Sequence, residues 1–202
     1  MNLNQTKNKR ELILAAGAKI FSQKGYHHAK MEEIAVAAGI GKGTVYEYFN
    51  SKLHLFQEII DKSLQHYSKI INPDEMGQMT VEARIENIIY GHFRFCQQNK
   101  DLSRILFWDS EIIDEELRDW FYNKRKEKEA VLQLIIEEGI RNNELRQVNA
   151  RLVTLMIGGI LSQIWIPVTV EGWEIDAAAT AKQITDLIMR GLKDCELRWN
   201  KS

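Results

Sequence analysis

Apolar residues recur at helical spacing along almost the whole chain. From about Lys9 to Lys24 they fall at Leu12 or Ile13, Ala16, Ile20 and Phe21, one face of an amphipathic helix that Gly25 would end in a left-handed conformation. A shorter helix is predicted from about Met31 to Ala38, apolar at Met31, Ile34, Ala35 and Ala38, with Gly39 stopping it. The pattern restarts at Lys42 and runs to Phe49. Two short helices joined by a three- to four-residue turn containing Gly form a helix-turn-helix signature.

The rest of the chain is also helical by its spacing. Ser51 can cap a helix running to about Ile71, before a break at Asn72-Pro73. Thr80 to Gln98 carries Ile85, Ile88, Ile89, His92, Phe93 and Phe95, and a shorter helix covers about Leu102 to Trp108. A long one spans about Asp114 to Arg141, with Leu117, Phe121, Ala130, Leu134 and Ile135 apolar and Asn142-Asn143 closing it. The last two are predicted from about Ala150 to Ile166 and Asp176 to Arg198. No segment alternates as a strand would, and no repeat is visible, so the class is all-α. Leu152 to Val170 runs 19 residues without a charge, long enough to span a bilayer. Thr154, Ser162, Gln163, Pro167, Thr169 and the Gly158-Gly159 pair make it a poor membrane span. It reads as a helix buried in protein on most faces, with no membrane partner.

Composition narrows the function classes. The 202 residues are 45% hydrophobic and 27% charged, which excludes a disordered or collagen-like chain and leaves enough length for a core. Cys96 and Cys195 stand apart, without the spacing of a zinc or redox motif, and the polar stretch Met1 to Glu11 does not read as a secretory signal. The reducing cytoplasm is the expected compartment. The overall net charge of -1 hides an asymmetry. Up to residue 54 the basic side chains Lys7, Lys9, Arg10, Lys19, Lys24, Lys30, Lys42 and Lys52 outnumber the acidic Glu11, Glu32, Glu33 and Glu47 two to one. A basic amino-terminal piece on an acidic body points to a polyanion partner for that piece.

Gly39-Ile40-Gly41-Lys42-Gly43-Thr44 resembles the end of a phosphate-binding loop. Such a loop needs a further upstream Gly, where Val36 stands, and a preceding buried strand, where the chain has a helix with Glu32-Glu33. The nucleotide-enzyme reading fails on that context. His27-His28 do not share a helix face and have no carboxylate cluster, so they read as a surface turn. No nucleophile–base pair, metal-ligand set or cofactor motif stands out. The chain is expected not to be an enzyme, with no cofactor and no metal.

From Lys9 to Ile59 the sequence resembles the tetracycline-repressor (TetR) family of bacterial transcription regulators. The matching residues are Ile13-Leu14-Ala15-Ala16, Phe21, Gly25-Tyr26, Ile34-Ala35, Ala38-Gly39-Ile40, Lys42-Gly43-Thr44-Val45-Tyr46, Tyr48-Phe49 and Ser51-Lys52. The resemblance implies a three-helix DNA-binding domain over 1–54, a larger helical ligand-binding and dimerisation domain over 55–202, and a homodimeric repressor. Lys30 stands where the family usually has Ser or Thr, and Gly41 where it usually has a capping Ser; Lys30 could replace the missing phosphate contact electrostatically. The helix from about Lys42 to Tyr48 would enter the major groove of a palindromic operator. There Gly43 allows close approach, Lys42 donates to guanine or phosphate, and Thr44 to a phosphate or a base. The resemblance places Tyr46, Tyr48 and Lys52 on phosphates. Glu47 could accept from cytosine or face solvent.

The body is expected to bind a small apolar or amphipathic effector. Tyr90, Phe93, Phe107, Trp108, Trp120, Phe121 and Trp165 supply the aromatic lining such pockets use, although each alone also fits a plain helical core. The acidic run Asp109, Glu111, Asp114, Glu115, Glu116 and Asp119 reads as a solvated helix start rather than a cation site. Glu115 to Leu145 is similar to the acyl-CoA-responsive branch of the family, which implies a long apolar ligand. Leu152, Leu155, Met156, Gly159 and Ile160 on one helix, with Ile184, Leu187, Ile188, Gly191 and Leu192 on the next, form the surfaces expected to pair across a two-fold axis.

Overall fold

In a computed structural model, which describes residues 3–71, 79–107 and 115–193, every regular element is a helix. In chain order these are α1 (Leu3–His28), α2 (Met31–Ala38), α3 (Lys42–Tyr48), α4 (Lys52–Ile71), α5 (Val81–Gln98), α6 (Lys100–Phe107), α7 (Glu115–Arg141), α8 (Ala150–Thr169) and α9 (Ala177–Leu192). Trp108, most of the acidic run from Asp109 onward, the Asn72-Pro73 break, Cys195 and the expected last helix beyond Lys193 lie outside the described residues.

Local chemistry sets most helix ends. Gly39, at φ 65°, ends α2 with two backbone bonds, from its own N–H to Val36 and from the Ile40 N–H to Ala35. That is the paired hydrogen-bond pattern of a left-handed helix stop. Asn143 (φ 58°) closes α7 in the same way, with the Glu144 N–H on the Gly139 carbonyl. Ser51 caps α4 by accepting from the His54 N–H at 3.0 Å. Two ends differ from expectation. α1 starts at Leu3 and carries past Gly25, where the chain kinks at φ 72°. α8 runs through Pro167 to Thr169, because the ring removes only one donor and the Val170 N–H still reaches the Ile166 carbonyl at 2.8 Å.

The chain packs as two compact units, Met1–Tyr67 with Gln98–Asp114, and Ser68–Gln97 with Glu115–Ser202. A division after residue 54 keeps α1 to α3 together but would part them from most of α4 and from α6, which belong to the same unit.

In the first unit, Ile13, Phe21, Ile34, Val45, Phe49, Leu55 and Ile60 are buried, and Leu12 is the exposed alternative to Ile13. Gly17 lets α1 lie close on α4, since a Cβ there would meet Ile59 Cδ1 at 2.8 Å. Ion pairs of Arg10 with Glu58 and of Lys62 with Glu11 fasten the same two helices. α6 packs on α1, where the buried Ser22 hydroxyl donates to Asp101 at 2.8 Å.

In the second unit, α7 packs on α8, and Arg84 at the start of α5 reaches Glu138 on α7 at 2.6 Å. Gly139 permits that approach: a Cβ there would lie 2.7 Å from Val81 Cγ2 and 3.0 Å from Leu145 Cδ1. Asp176 caps α9 through the Ala178 and Ala179 N–H groups. α8 is the one described helix long and apolar enough to cross a bilayer. It is not buried on most faces, as its composition suggested. Val153, Ile157, Trp165 and Val168 turn inward, while Leu152, Leu155 and Met156 are exposed, Met156 at 61%. Leu187 on α9 is exposed at 72%, and nothing lies within 4 Å of a Cβ at Gly158, Gly159 or Gly191. Leu192, expected on that outer face, is buried within the unit instead.

Candidate functional site

The short α3 is held by two side chains. Val45 and Phe49 are fully buried, with the Phe49 ring covered by the Arg10 guanidinium at 5.1 Å. Anchoring Val45 inward turns Lys42, Gly43, Tyr46 and Glu47 to solvent and leaves Thr44 and Tyr48 half-buried. This is the periodicity of one helix face, and it gathers five of the seven residues expected on DNA onto a single short helix. Gly43 has ordinary helical geometry and open space around it, so nothing inside the chain requires a glycine there. Gly41, at the start of α3, supplies no side-chain cap. The first-turn N–H groups of α3 therefore receive no side-chain cap from Gly41. Lys30, at the start of α2, is exposed on the same unit.

Two of the expected cations are already engaged. Lys42 forms an ion pair with Glu32 of α2 and lies 6.0 Å from the Tyr46 ring. The hydrogen bond from Lys42 holds the Glu32 carboxyl below the usual carboxylate range, and Glu32 in turn raises the Lys42 ammonium. Lys24 and Glu33 make a parallel pair at 2.8 Å, which lowers Glu33. Lys52 donates to the carbonyls of His27 and Ala29, both at 3.2 Å, and stands 4.5 Å over the Tyr26 ring. Burial pushes its ammonium below the ordinary lysine value. Its charge thus closes the end of α1 rather than projecting as an open contact. Sequence reasoning missed Glu32 and this role of Lys52. A pair of acids opening α2 on an otherwise basic surface was the available signal for the first; nothing local marks the second. Glu47 is exposed with no ion-pair partner among the described residues.

The aromatic residues expected around an effector do not form one group. Phe93 and Trp165 are buried in the second unit, and Tyr90, Trp120 and Phe121 are half-buried there. The Tyr90 hydroxyl accepts from Arg94 at 2.8 Å, and Trp120 and Phe121 meet edge to face at 5.2 Å. Phe107 belongs to the first unit, 6.2 Å from the Tyr67 ring, and Trp108 lies outside the described residues. Two polar groups that aromatic counting overlooked lie among the second unit's helices. His92 is almost wholly buried, with Nε2 3.6 Å from Cys96 Sγ and a hydrogen bond to the Leu161 backbone. Burial, assisted by the Lys128 charge, pushes His92 down to about 3. Lys128 is exposed along its stem while its ammonium turns inward, and that partial burial brings it down to about 8. Among the described residues no group of three His, Cys, Asp or Glu could hold a metal.

Residues 13–59 match the family model described as bacterial regulatory proteins, tetR family, and residues 78–192 match the tetracyclin repressor-like C-terminal domain. The fatty acid metabolism regulator protein of Bacillus subtilis is 22% identical over 191 residues, 94% of this chain and 98% of that protein. Among solved structures, the transcriptional regulator FadR from Bacillus subtilis in complex with stearoyl-CoA superimposes with a TM-score of 0.78 at 23% identity, covering 90% of this chain and 98% of that one. AibR, in complex with isovaleryl coenzyme A and operator DNA, gives a TM-score of 0.74 at 16% identity, over 89% and 97% of the two chains.

Proposed function

Because the chain belongs to the TetR family of bacterial transcriptional regulators, we propose that it is a homodimeric, cytoplasmic repressor that an apolar acyl thioester releases from a palindromic operator. The observation that carries the DNA-binding part is the outer face of α3. Its exposed Gly43, Tyr46 and Glu47 lie beside Lys42, whose ion pair with Glu32 is itself open to solvent, and none of the four is needed for the core. Gly43 brings the backbone close to base edges, Lys42 and Thr44 donate to bases or phosphates, and Tyr46 and Tyr48 donate through their hydroxyls to phosphates. Lys30 adds charge beside the backbone. Lys52 acts at one remove, fixing the end of α1 against the start of α4.

Dimer formation accounts for the outward apolar face of α8 and α9. Leu152, Leu155, Met156 and Leu187 would meet their two-fold copies, and Gly158, Gly159 and Gly191 leave room for helices to approach. The effector class is supported by the aromatic-rich helices of the second unit, which match the tetracyclin repressor-like C-terminal domain over residues 78–192. The Bacillus subtilis FadR structure holds stearoyl-CoA, and AibR holds isovaleryl coenzyme A. The reading is tested by fluorescence anisotropy on the DNA flanking the protein's own gene, titrated with acyl-CoAs of increasing chain length. Salt-sensitive binding that long-chain thioesters abolish is the expected result. Binding that no acyl-CoA alters would remove the effector assignment, and absence of binding to any duplex at low salt would remove the DNA-binding one.

A further inference from the structure

The Lys42–Glu32 pair has an unusual position. Lys42 opens the helix expected in the major groove, and its ammonium is held by a carboxylate from the neighbouring helix of the same motif. Both side chains remain about half exposed, at 54% and 55%. An exposed pair adds little to stability and opens readily, because solvent screens it. Its effect therefore falls on binding, where any phosphate that takes Lys42 must displace Glu32 and then lie close to an uncompensated carboxylate.

We propose that Glu32 is a specificity-determining residue: it withholds Lys42 from the phosphates of arbitrary DNA, so that only a sequence presenting a well-placed base-edge acceptor draws the lysine away. The physical logic is differential. A guanine edge offers two acceptors, O6 and N7, in fixed geometry, and a Lys contact there gains a directed hydrogen bond in exchange for the lost carboxylate. A phosphate offers a charge-assisted hydrogen bond without a fixed pair of acceptors, and a contact of that kind is what Glu32 already supplies. Specificity is a difference of affinities, and a group that weakens the wrong complex raises it as surely as one that strengthens the right one. Lys24–Glu33 shows that α2 places its second acid in the same way, beside a lysine of α1.

The proposal rests on the DNA-binding reading given above. Its test uses the full chain, a duplex of scrambled sequence, and four proteins: wild type, Glu32→Gln, Lys42→Gln and the double variant. Helical content and melting temperature by circular dichroism confirm that all four are folded. Glu32→Gln should bind the scrambled duplex more tightly, with the slope of log affinity against log salt steeper by about 0.9, the increment for one additional neutralised phosphate. At 0.1 M salt that increment corresponds to a gain of roughly eightfold. In the Lys42→Gln background the same Glu32→Gln change should leave the slope unaltered. An equal gain in both backgrounds overturns the proposal, because Glu32 would then act by general repulsion rather than through Lys42. No gain in either background overturns it as well. If none of the four proteins binds duplex DNA at low salt, the DNA-binding reading falls and this one with it.

Discussion

Replacing Lys52 separates two roles that one lysine could have. The ammonium donates to the carbonyls of His27, which is exposed, and Ala29, which is buried, and it stands over the Tyr26 ring. In Lys52→Met the aliphatic stem remains while the donors vanish. The carbonyl of the buried Ala29 then loses a charged donor at a cost of about 1 kcal/mol, and the lost cation–π contact adds about 0.5–1 kcal/mol. The His27 carbonyl finds water and contributes little, so the net loss is about 1–2 kcal/mol. With a denaturant slope of about 2 kcal/mol per molar urea, the unfolding midpoint of the first unit should fall by roughly 0.5–1 M. Circular dichroism in urea measures this, and anisotropy against DNA at several salt concentrations measures the other role. Affinity should fall because the end of α1 is no longer tied to the start of α4, while the salt slope stays as in the wild type. An unchanged midpoint with a slope flatter by about one would show Lys52 to be an ordinary phosphate contact and would refute the reasoning.

Three further outcomes are expected. His92, at about 3 in the fold against its ordinary 6.5, is protonated first in the unfolded chain, so stability should fall as pH drops from about 6.5 towards 3, by up to about 5 kcal/mol; His92→Gln should flatten that acid limb in urea titrations, and an unchanged limb would assign it to other groups. Gly139→Ala forces a Cβ onto Val81 and Leu145 and should cost about 1–3 kcal/mol, read as a lower melting temperature with no change in DNA affinity measured at 15 °C. Met156→Asp combined with Leu187→Asp should sediment as a helical monomer at micromolar concentration where the wild type is a dimer; a dimeric variant would move the interface off the α8 and α9 outer face.

What could be read from the sequence was what neighbouring residues decide among themselves. Gly39, Ser51 and Asn143 mark helix ends because their own backbone or side-chain chemistry satisfies the terminal groups, and α2 matches its expected bounds. The inward turn of Val45 and Phe49, and with it the outer face of α3, follows from helical spacing. The choice of Ile13 over Leu12, by contrast, needed the packed first unit, where Ile13 is buried and Leu12 exposed. The continuation of α8 past Pro167 depended on bonds that a breaker rule does not count, including the Thr169 hydroxyl on the Trp165 carbonyl at 2.7 Å. The engagement of Lys42 by Glu32 joins residues ten apart, and that of Lys52 by Ala29 residues 23 apart. Charge type and helical period were visible there, but pairing was not. The aromatic lining was the least legible part, because periodicity cannot tell a ring that meets a ligand from one that fills a core.

The placement of α6 bears on how such regulators can be recombined. The first unit is assembled from two stretches of chain, and α5, which belongs to the other unit, lies between them in sequence. A graft that transplants only the leading helices onto a foreign body would bring α1 without the α6 that packs against it. The buried Ser22 hydroxyl would then face whatever residue the new host carries in place of Asp101. Exchange of DNA-reading heads between relatives is therefore constrained by a second, distant segment, and a working chimera needs two junction-matched pieces rather than one.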